Sequence, residues 1–438
     1  MKPGTHAVLA ALLIAAAAGH ADDWPQWLGP QRDAVWREAG IVDTFPEGGP
    51  KVLWRVKTGG GYTGPAVADG KVYLMDRQVA ERSSVPGNAF ARGVIPGTER
   101  VLCLDAKTGA QVWEHRYDCT YTMSYSTGPR CTPLVSGGKV WTLGAEGNLL
   151  CLDAANGKVL WSHDFKAEFG AKTPQWGFAG HPLLDDRRLI CLVGGPGSVA
   201  MAFDKDSGKE LWRALDAREP GYCPPTMIEH DGAKQLVLWH PQAVNVLDPA
   251  SGKMLWSHPW DVRFGLTIAT PRLVDDFLFF SSFYTSSKCF RPGGTLVWEG
   301  KSFSEKNTDT LHSLMSTPFV ENGHIYGVCS YGQLRCLKLE TGERVWETMA
   351  ATTGGPEVRW ANAFIIKHED RFFLANEQGD LIIAKMTPKG YEELSRARLL
   401  KPTTTDPRRA VVWSHPAFAN KCVFMRNDEE IVCASLAK

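Results

Sequence analysis

A chain of 438 residues with 48 Lys+Arg against 48 Asp+Glu has no formal net charge, which argues against a nucleic-acid partner held through its phosphates. At 44% hydrophobic and 22% charged residues it is neither disordered nor an array of membrane spans. Length alone points to two or three domains, whereas 16 Trp and 43 Gly point to an all-β chain with many tight turns.

Residues 1–21 read as an address. Lys2 and His6 precede an apolar run from Ala7 to Ala18, and Gly19-His20-Ala21 closes it with small residues at −3 and −1. That is the pattern of a cleaved secretory signal, too short for a span, with cleavage predicted after Ala21. No comparable run follows, and no Cys at the cleavage point offers a lipid anchor. The mature chain is therefore expected to be exported, periplasmic or secreted, and soluble. Residues 22–50 form an arm whose Trp24, Trp27 and Trp36 are too apolar to dangle. It is expected to pack across the flank of the following domain, the alternative being a subunit contact in a larger envelope complex.

From residue 51 the chain repeats. Lys51-Val52-Leu53-Trp54 returns letter for letter as Lys158-Val159-Leu160-Trp161. Gly-x-x-x-Trp occurs at Gly109/Trp113, Gly157/Trp161, Gly208/Trp212, Gly252/Trp256, Gly294/Trp298 and Gly342/Trp346, with 42 to 51 residues between successive Trp. Each Gly follows an extended segment such as Val101-Leu102-Cys103-Leu104-Asp105, so each copy reads as a β-hairpin whose Gly takes positive φ. A seventh copy has Gly390 with Leu394 in the Trp place. The period suits one four-stranded antiparallel blade. The strand at Leu53 lacks an upstream partner, but Ile431-Val432-Cys433-Ala434 supplies one at the other end. The prediction is an all-β fold: an eight-bladed β-propeller of four-stranded antiparallel blades over residues 51–438, its ring closed by the N-terminal strand. The recurrent Trp is a packing wedge between blades whose N–H needs a partner.

The 11 Cys follow the repeat rather than a disulfide framework. Cys103, Cys151, Cys336 and Cys433 share one strand position and read as small buried residues. Cys119 and Cys131 flank one loop and could pair.

The motif Leu104-Asp105-Ala106-Lys107-Thr108-Gly109 followed by Trp113, matched by Leu152-Asp153, Gly157 and Trp161, resembles the repeat of the pyrroloquinoline-quinone (PQQ)-like propellers. The opening Asp23-Trp24-Pro25-Gln26-Trp27-Leu28-Gly29-Pro30 is similar to exported, planctomycete-type members. The resemblance covers the chain from about Lys51 onward. It implies either a non-catalytic scaffold, as in the propeller of outer-membrane-protein assembly, or a quinoprotein dehydrogenase. The dehydrogenases carry two adjacent Cys over the quinone and a calcium held by carboxylates, and no two Cys are adjacent here. No cofactor is therefore predicted, though related propellers house soluble quinoproteins without the Cys pair.

In an antiparallel meander the links between blades share one face with the second-to-third-strand loops. That face collects the long segments 77–98, 302–311 and 401–409, and loops on a rigid scaffold usually carry function. Seven innermost strands share a Pro: Pro65, Pro133, Pro182, Pro225, Pro271, Pro318 and Pro416, with Ala363 in the remaining blade. Three residues before it lie Tyr62, Arg130, Ala179, Tyr222, Ile268, Met315, Trp360 and Trp413. One residue before it lie Gly64, Thr132, His181, Pro224, Thr270, Thr317, Asn362 and His415. In strands these two rings point the same way. With Trp176, His312 and Arg359 they are expected to furnish a channel mouth, giving Tyr62, Arg130, Trp176, His181, Tyr222, His312, Arg359, Trp360, Trp413 and His415 as candidate ligand- or partner-binding residues. For His181 and His415 the plainer expectation is that they close strand ends and hold trapped water. Arg359 and Trp360 are sequence neighbours, so only one of them need face a ligand.

No His-Glu-x-x-His, Cys-x-x-Cys, calcium loop or Gly-x-Ser-x-Gly elbow occurs, and no metal site is predicted. The expected function is that of an exported, monomeric, non-catalytic module binding a protein or glycan of the cell envelope on its loop-rich face. The alternative is an enzyme, a PQQ-dependent dehydrogenase or a sugar-directed activity with a His base at the same mouth.

Overall fold

The structure, a computed structural model, describes residues 23–438 apart from 82, 84, 85, 407 and 408, so the predicted signal lies outside the described residues. Eight four-stranded antiparallel sheets follow one another round a ring. The innermost strands of blades 1 to 8 are Ala66–Ala68, Leu134–Ser136, Leu183–Asp185, Thr226–His230, Arg272–Val274, Phe319–Glu321, Ala363–His368 and Ala417–Ala419. Seven of them begin directly after the repeat Pro, which has no N–H to give to a ladder and so sits at the strand's entry. Third strands such as Asn148–Asp153 are apolar and buried on both faces because each lies between two neighbouring blades. Outermost strands such as Leu296–Glu299 alternate half-buried with exposed.

The eighth blade closes the ring. Its outermost strand, Val52–Lys57, pairs antiparallel with Glu430–Ser435, in the register Trp54↔Cys433, Arg55↔Val432 and Val56↔Ile431. Closure joins the two ends of the chain and removes an open sheet edge.

The repeated Trp ties each blade to the next. Trp113 Nε1 donates to Ala154 O at 3.0 Å, Trp161 to Lys205 O at 3.1 Å, Trp212 to Pro249 O at 3.0 Å and Trp256 to Pro292 O at 2.8 Å. Trp54, Trp298 and Trp346 make the same bond to Ala106, Leu339 and Thr387. The hairpin Gly of the following blade lies under that ring. A Cβ on Gly157, at φ 74°, would stand 2.5 Å from Trp113 Cε3, so the position needs Gly for both conformation and space. The cysteines are buried free thiols, and burial pushes Cys103 and Cys151 up to about 12, far from reactive.

The arm takes a different course from the flank position expected of it. It crosses the end of the axial channel. Trp24 exchanges backbone hydrogen bonds with Val67 of blade 1, and Pro25 O accepts from Val135 N of blade 2. Arg32 reaches the carbonyls of Pro182 and Pro225, and Trp36 N donates to Lys367 O of blade 7. Val42 N donates to Leu436 O before the chain turns outward to become the closing strand. The short innermost strands leave a hollow axis, which Trp27 enters, while Trp24 and Trp36 pack among the inner strands of blades 1, 7 and 8. Trp24 and Trp36 are each 1% exposed, packed on Phe418.

Candidate functional site

Trp27 stands in the channel and sets the floor of a cup opening on the loop-rich face. Its indole stacks on His181 (centroids 4.0 Å apart) and tilts against His415 (4.6 Å), and Nε1 donates to Thr270 Oγ1 at 3.0 Å. Above it the cup encloses about 370 Å³. The ring of residues three before the repeat Pro, Tyr62, Arg130, Ala179, Tyr222, Ile268, Met315, Trp360 and Trp413, lines it in full. Of the ring one before the Pro, only His181, Pro224 and His415 reach it. Trp27 occupies the axis at that level, and the Thr side chains and backbone there bond to one another, to His181 and to Trp27. Thr132 N donates to His181 Nδ1 (2.9 Å) and Thr270 N to Thr317 Oγ1 (3.2 Å).

Trp176 is in the wall, edge-on to Tyr222. His312 is not. It is fully buried behind the wall, with Nδ1 3.0 Å from Phe283 O and Nε2 3.4 Å from Asp309, where it pins the 302–311 link. Arg359 also stays out of the lining, since its Nη2 pairs with Glu305 at 2.6 Å and bonds Tyr284 Oη at 3.2 Å. Its neighbour Trp360 faces the cup and meets Phe90 at 5.6 Å. Sequence reading missed Trp27, Phe90, Tyr125, Phe264 and Tyr284, which come from the arm and irregular loops where no repeat position marks them.

The chemistry of this lining is narrow. Arg130 is its one cationic group among the described residues, and its donors serve its own loop: Nη1 bonds Gly128 O, and Nη2 bonds the carbonyls of Ser124 (3.1 Å) and Tyr125 (2.5 Å). Trp413 Nε1 is turned to Glu377 at 3.2 Å, and Tyr62 Oη donates to Thr127. Among the described residues no Asp or Glu lines the cup. Calcium prefers roughly six to eight oxygen ligands, and no metal-holding group of His, Cys, Asp or Glu forms among the described residues. With no carboxylate in the lining, no adjacent Cys and the one guanidinium engaged, these residues do not fit a calcium–quinone pair.

Three lining aromatics are held in left-handed backbone conformations: Tyr125 at φ 53°, Phe264 at φ 56° and Trp360 at φ 66°. Such geometry costs on the order of 1–3 kcal/mol for a bulky residue and persists where surrounding structure imposes it.

Both floor imidazoles are neutral in the fold. Burial pushes His415 down to about 3, and burial followed by the Arg32 charge holds His181 well below the usual imidazole range. An unfolded imidazole takes its proton near 6.5. Below that pH the unfolded chain binds protons the folded chain refuses, so each ring lowers stability by up to about 1.4 kcal/mol per pH unit until its folded value is reached. Urea midpoints are expected to be flat above pH 7 and to fall between pH 6.5 and 4, less steeply in His415→Gln. A flat profile down to pH 4 would contradict neutral, buried rings.

Compared with known proteins, the chain matches the family model of the outer membrane protein assembly factor BamB over residues 97–348 and again over 241–438. No curated protein sequence matches it. The structure of BamB from Moraxella catarrhalis has a TM-score of 0.57 at 14% identity, covering 88% of this chain and 97% of that one. A quinohemoprotein alcohol dehydrogenase from Comamonas testosteroni has a TM-score of 0.62 at 14% identity, covering 95% and 81%. The computationally designed Ika8 protein has a TM-score of 0.53 at 10% identity, covering 88% and 100%. At these identities the likeness is one of fold. No helix among the described residues is long and apolar enough to cross a membrane.

Proposed function

The chain belongs to the family of the outer membrane protein assembly factor BamB, and on that footing we propose that it is an exported, non-catalytic binding module whose cup takes an apolar side chain of an envelope protein. The observation that carries this reading is the cup itself: an aromatic socket on a rigid ring, with left-handed aromatics in its wall and the polar groups of Arg130, Tyr62 and Trp413 bonded to its own loops. A socket of this kind gives burial and stacking and little else. Apolar side chains crown the same face, Val94 at 78%, Phe303 at 74% and Phe264 at 54% exposed, as suits a surface that meets a protein. His415 Nε2, which has no partner, and the Gln175 amide are few donors and acceptors for a glycan. The same lining speaks against a quinone-dependent dehydrogenase.

A photo-crosslinking residue at Gln175, in the wall, is expected to trap a specific envelope protein in cells, while one at Asp275 on the opposite face traps none. Trp176→Ala is expected to cut the Gln175 adduct at least fivefold with the melting temperature little changed. Equal adducts at both positions would refute the face assignment. Reduction of a redox dye by alcohols or sugars, after loading with PQQ and calcium, would refute the non-catalytic reading.

A further inference from the structure

Trp27 divides the axial channel, and the half beneath it differs from the cup. A cleft of about 490 Å³ runs between arm residues 31–35 and the innermost strands of blades 3 to 6. Two guanidiniums line it. Arg32 donates to Pro182 O (3.0 Å) and Pro225 O (3.3 Å), and Arg272 donates to Pro318 O (3.0 Å) and to the carbonyl of Arg32 itself (3.1 Å). Two acids share the lining: Asp33 partly offsets the Arg272 charge, and neither acid forms a close ion pair with either guanidinium. Asp33 pairs with Arg37 and accepts from Val35 N at 3.1 Å, and Glu229 lies exposed at the rim.

Burying charge without a counter-charge is costly. Burial pushes both guanidiniums down to about 10, and the Arg272 charge adds to the effect on Arg32. Arg272 is 9% exposed, and its Nη2 has no hydrogen-bond partner. Other buried arginines differ. Arg426 is sealed with its nitrogens bonded to Asn427, Thr63, Met75 and Gly59, and Arg77 lies over the Tyr121 ring. Among the described residues only the Arg32–Arg272 pair combines mutual proximity, a donor left unbonded on Arg272 and a cavity. Beside Gln31, Thr226 and Thr270 the remaining wall is apolar, with Leu183, Met227, Leu273, Val274 and Phe319.

We propose that this cleft binds an amphiphilic oxyanion, its carboxylate or phosphate head between Arg32 and Arg272 and its apolar body along Leu183, Met227, Leu273 and Phe319. Guanidinium forks match either head group, and the head adds the close counter-charge that Asp33, paired with Arg37, does not give.

Calorimetry on the purified chain tests this with octanoate, octyl phosphate, octanol and inorganic phosphate. Octanoate and octyl phosphate are expected to bind, and whichever is tighter names the head group. Octanol and inorganic phosphate are each expected to be at least tenfold weaker. Glu229→Gln, a change at the exposed rim that leaves the fold alone, is expected to tighten octanoate two- to threefold, while Trp176→Ala in the cup leaves it unchanged. Arg272→Gln is expected to abolish binding. Octanol equal to octanoate, inorganic phosphate equal to octyl phosphate, no binding at all, or sensitivity to Trp176→Ala instead of Glu229→Gln would each overturn the proposal.

Discussion

A chain ending at Glu429 is expected to be recovered as aggregate or as an expanded species without a cooperative melt. The lost segment contains Glu430–Ser435, the strand to which Val52–Lys57 pairs. Ile431, Val432, Cys433, Ala434 and Leu436 are fully buried there, in one cluster with Trp24, Trp36 and Trp54. Burial of a Val, Leu or Ile side chain contributes about 1.5–3 kcal/mol, so three of these residues together approach the roughly 5–15 kcal/mol that holds a domain. Two strand edges, of Val52–Lys57 and Cys422–Arg426, would also be left open to other chains. Ile431→Pro is the milder form, because it removes a ladder hydrogen bond opposite Val56 and keeps the rest. Size-exclusion chromatography and thermal unfolding read both. A truncated chain that stays monomeric and melts within a few degrees of the full one would mean that closure contributes little.

Trp27→Ala is the second. The ring is 8% exposed, stacked on His181, tilted on His415 and bonded to Thr270. Removing a buried Trp costs about 3–5 kcal/mol. Here the collapse that sometimes softens such a loss is blocked by the rigid ring of strands. Trp27→Phe keeps most of the apolar contact and loses the N–H, and is expected to cost nearer the ~1 kcal/mol of a hydrogen bond. Urea unfolding measures both. A loss below about 1 kcal/mol for Trp27→Ala would mean the arm does not hold the floor.

The order of these effects follows where the information lies. Blade number, strand order and ring closure were legible because each rests on a local signal repeated at fixed spacing, such as Gly157 with Trp161, or on two matching segments at the chain ends, 51–54 and 431–434. Alignment on the repeat Pro also named the eight-residue ring that lines the cup, because each blade presents the same strand entry to the axis. His312 and Arg359 sit in irregular links, where no period fixes direction, and Asp309 and Glu305 hold them away from the lining.

The amino-acid order alone thus determined a closed ring of eight sheets and the residues each blade offers to its centre. Tertiary structure alone decided what occupies that centre: Trp27 stacked on His181 and His415, Phe90 and Tyr284 folded in from loops, and Arg32 set beside Arg272. The reason is physical. Strand and hairpin preferences act over a few neighbouring residues, whereas filling a hollow axis depends on volumes and unpaired polar groups that meet only once the ring has closed.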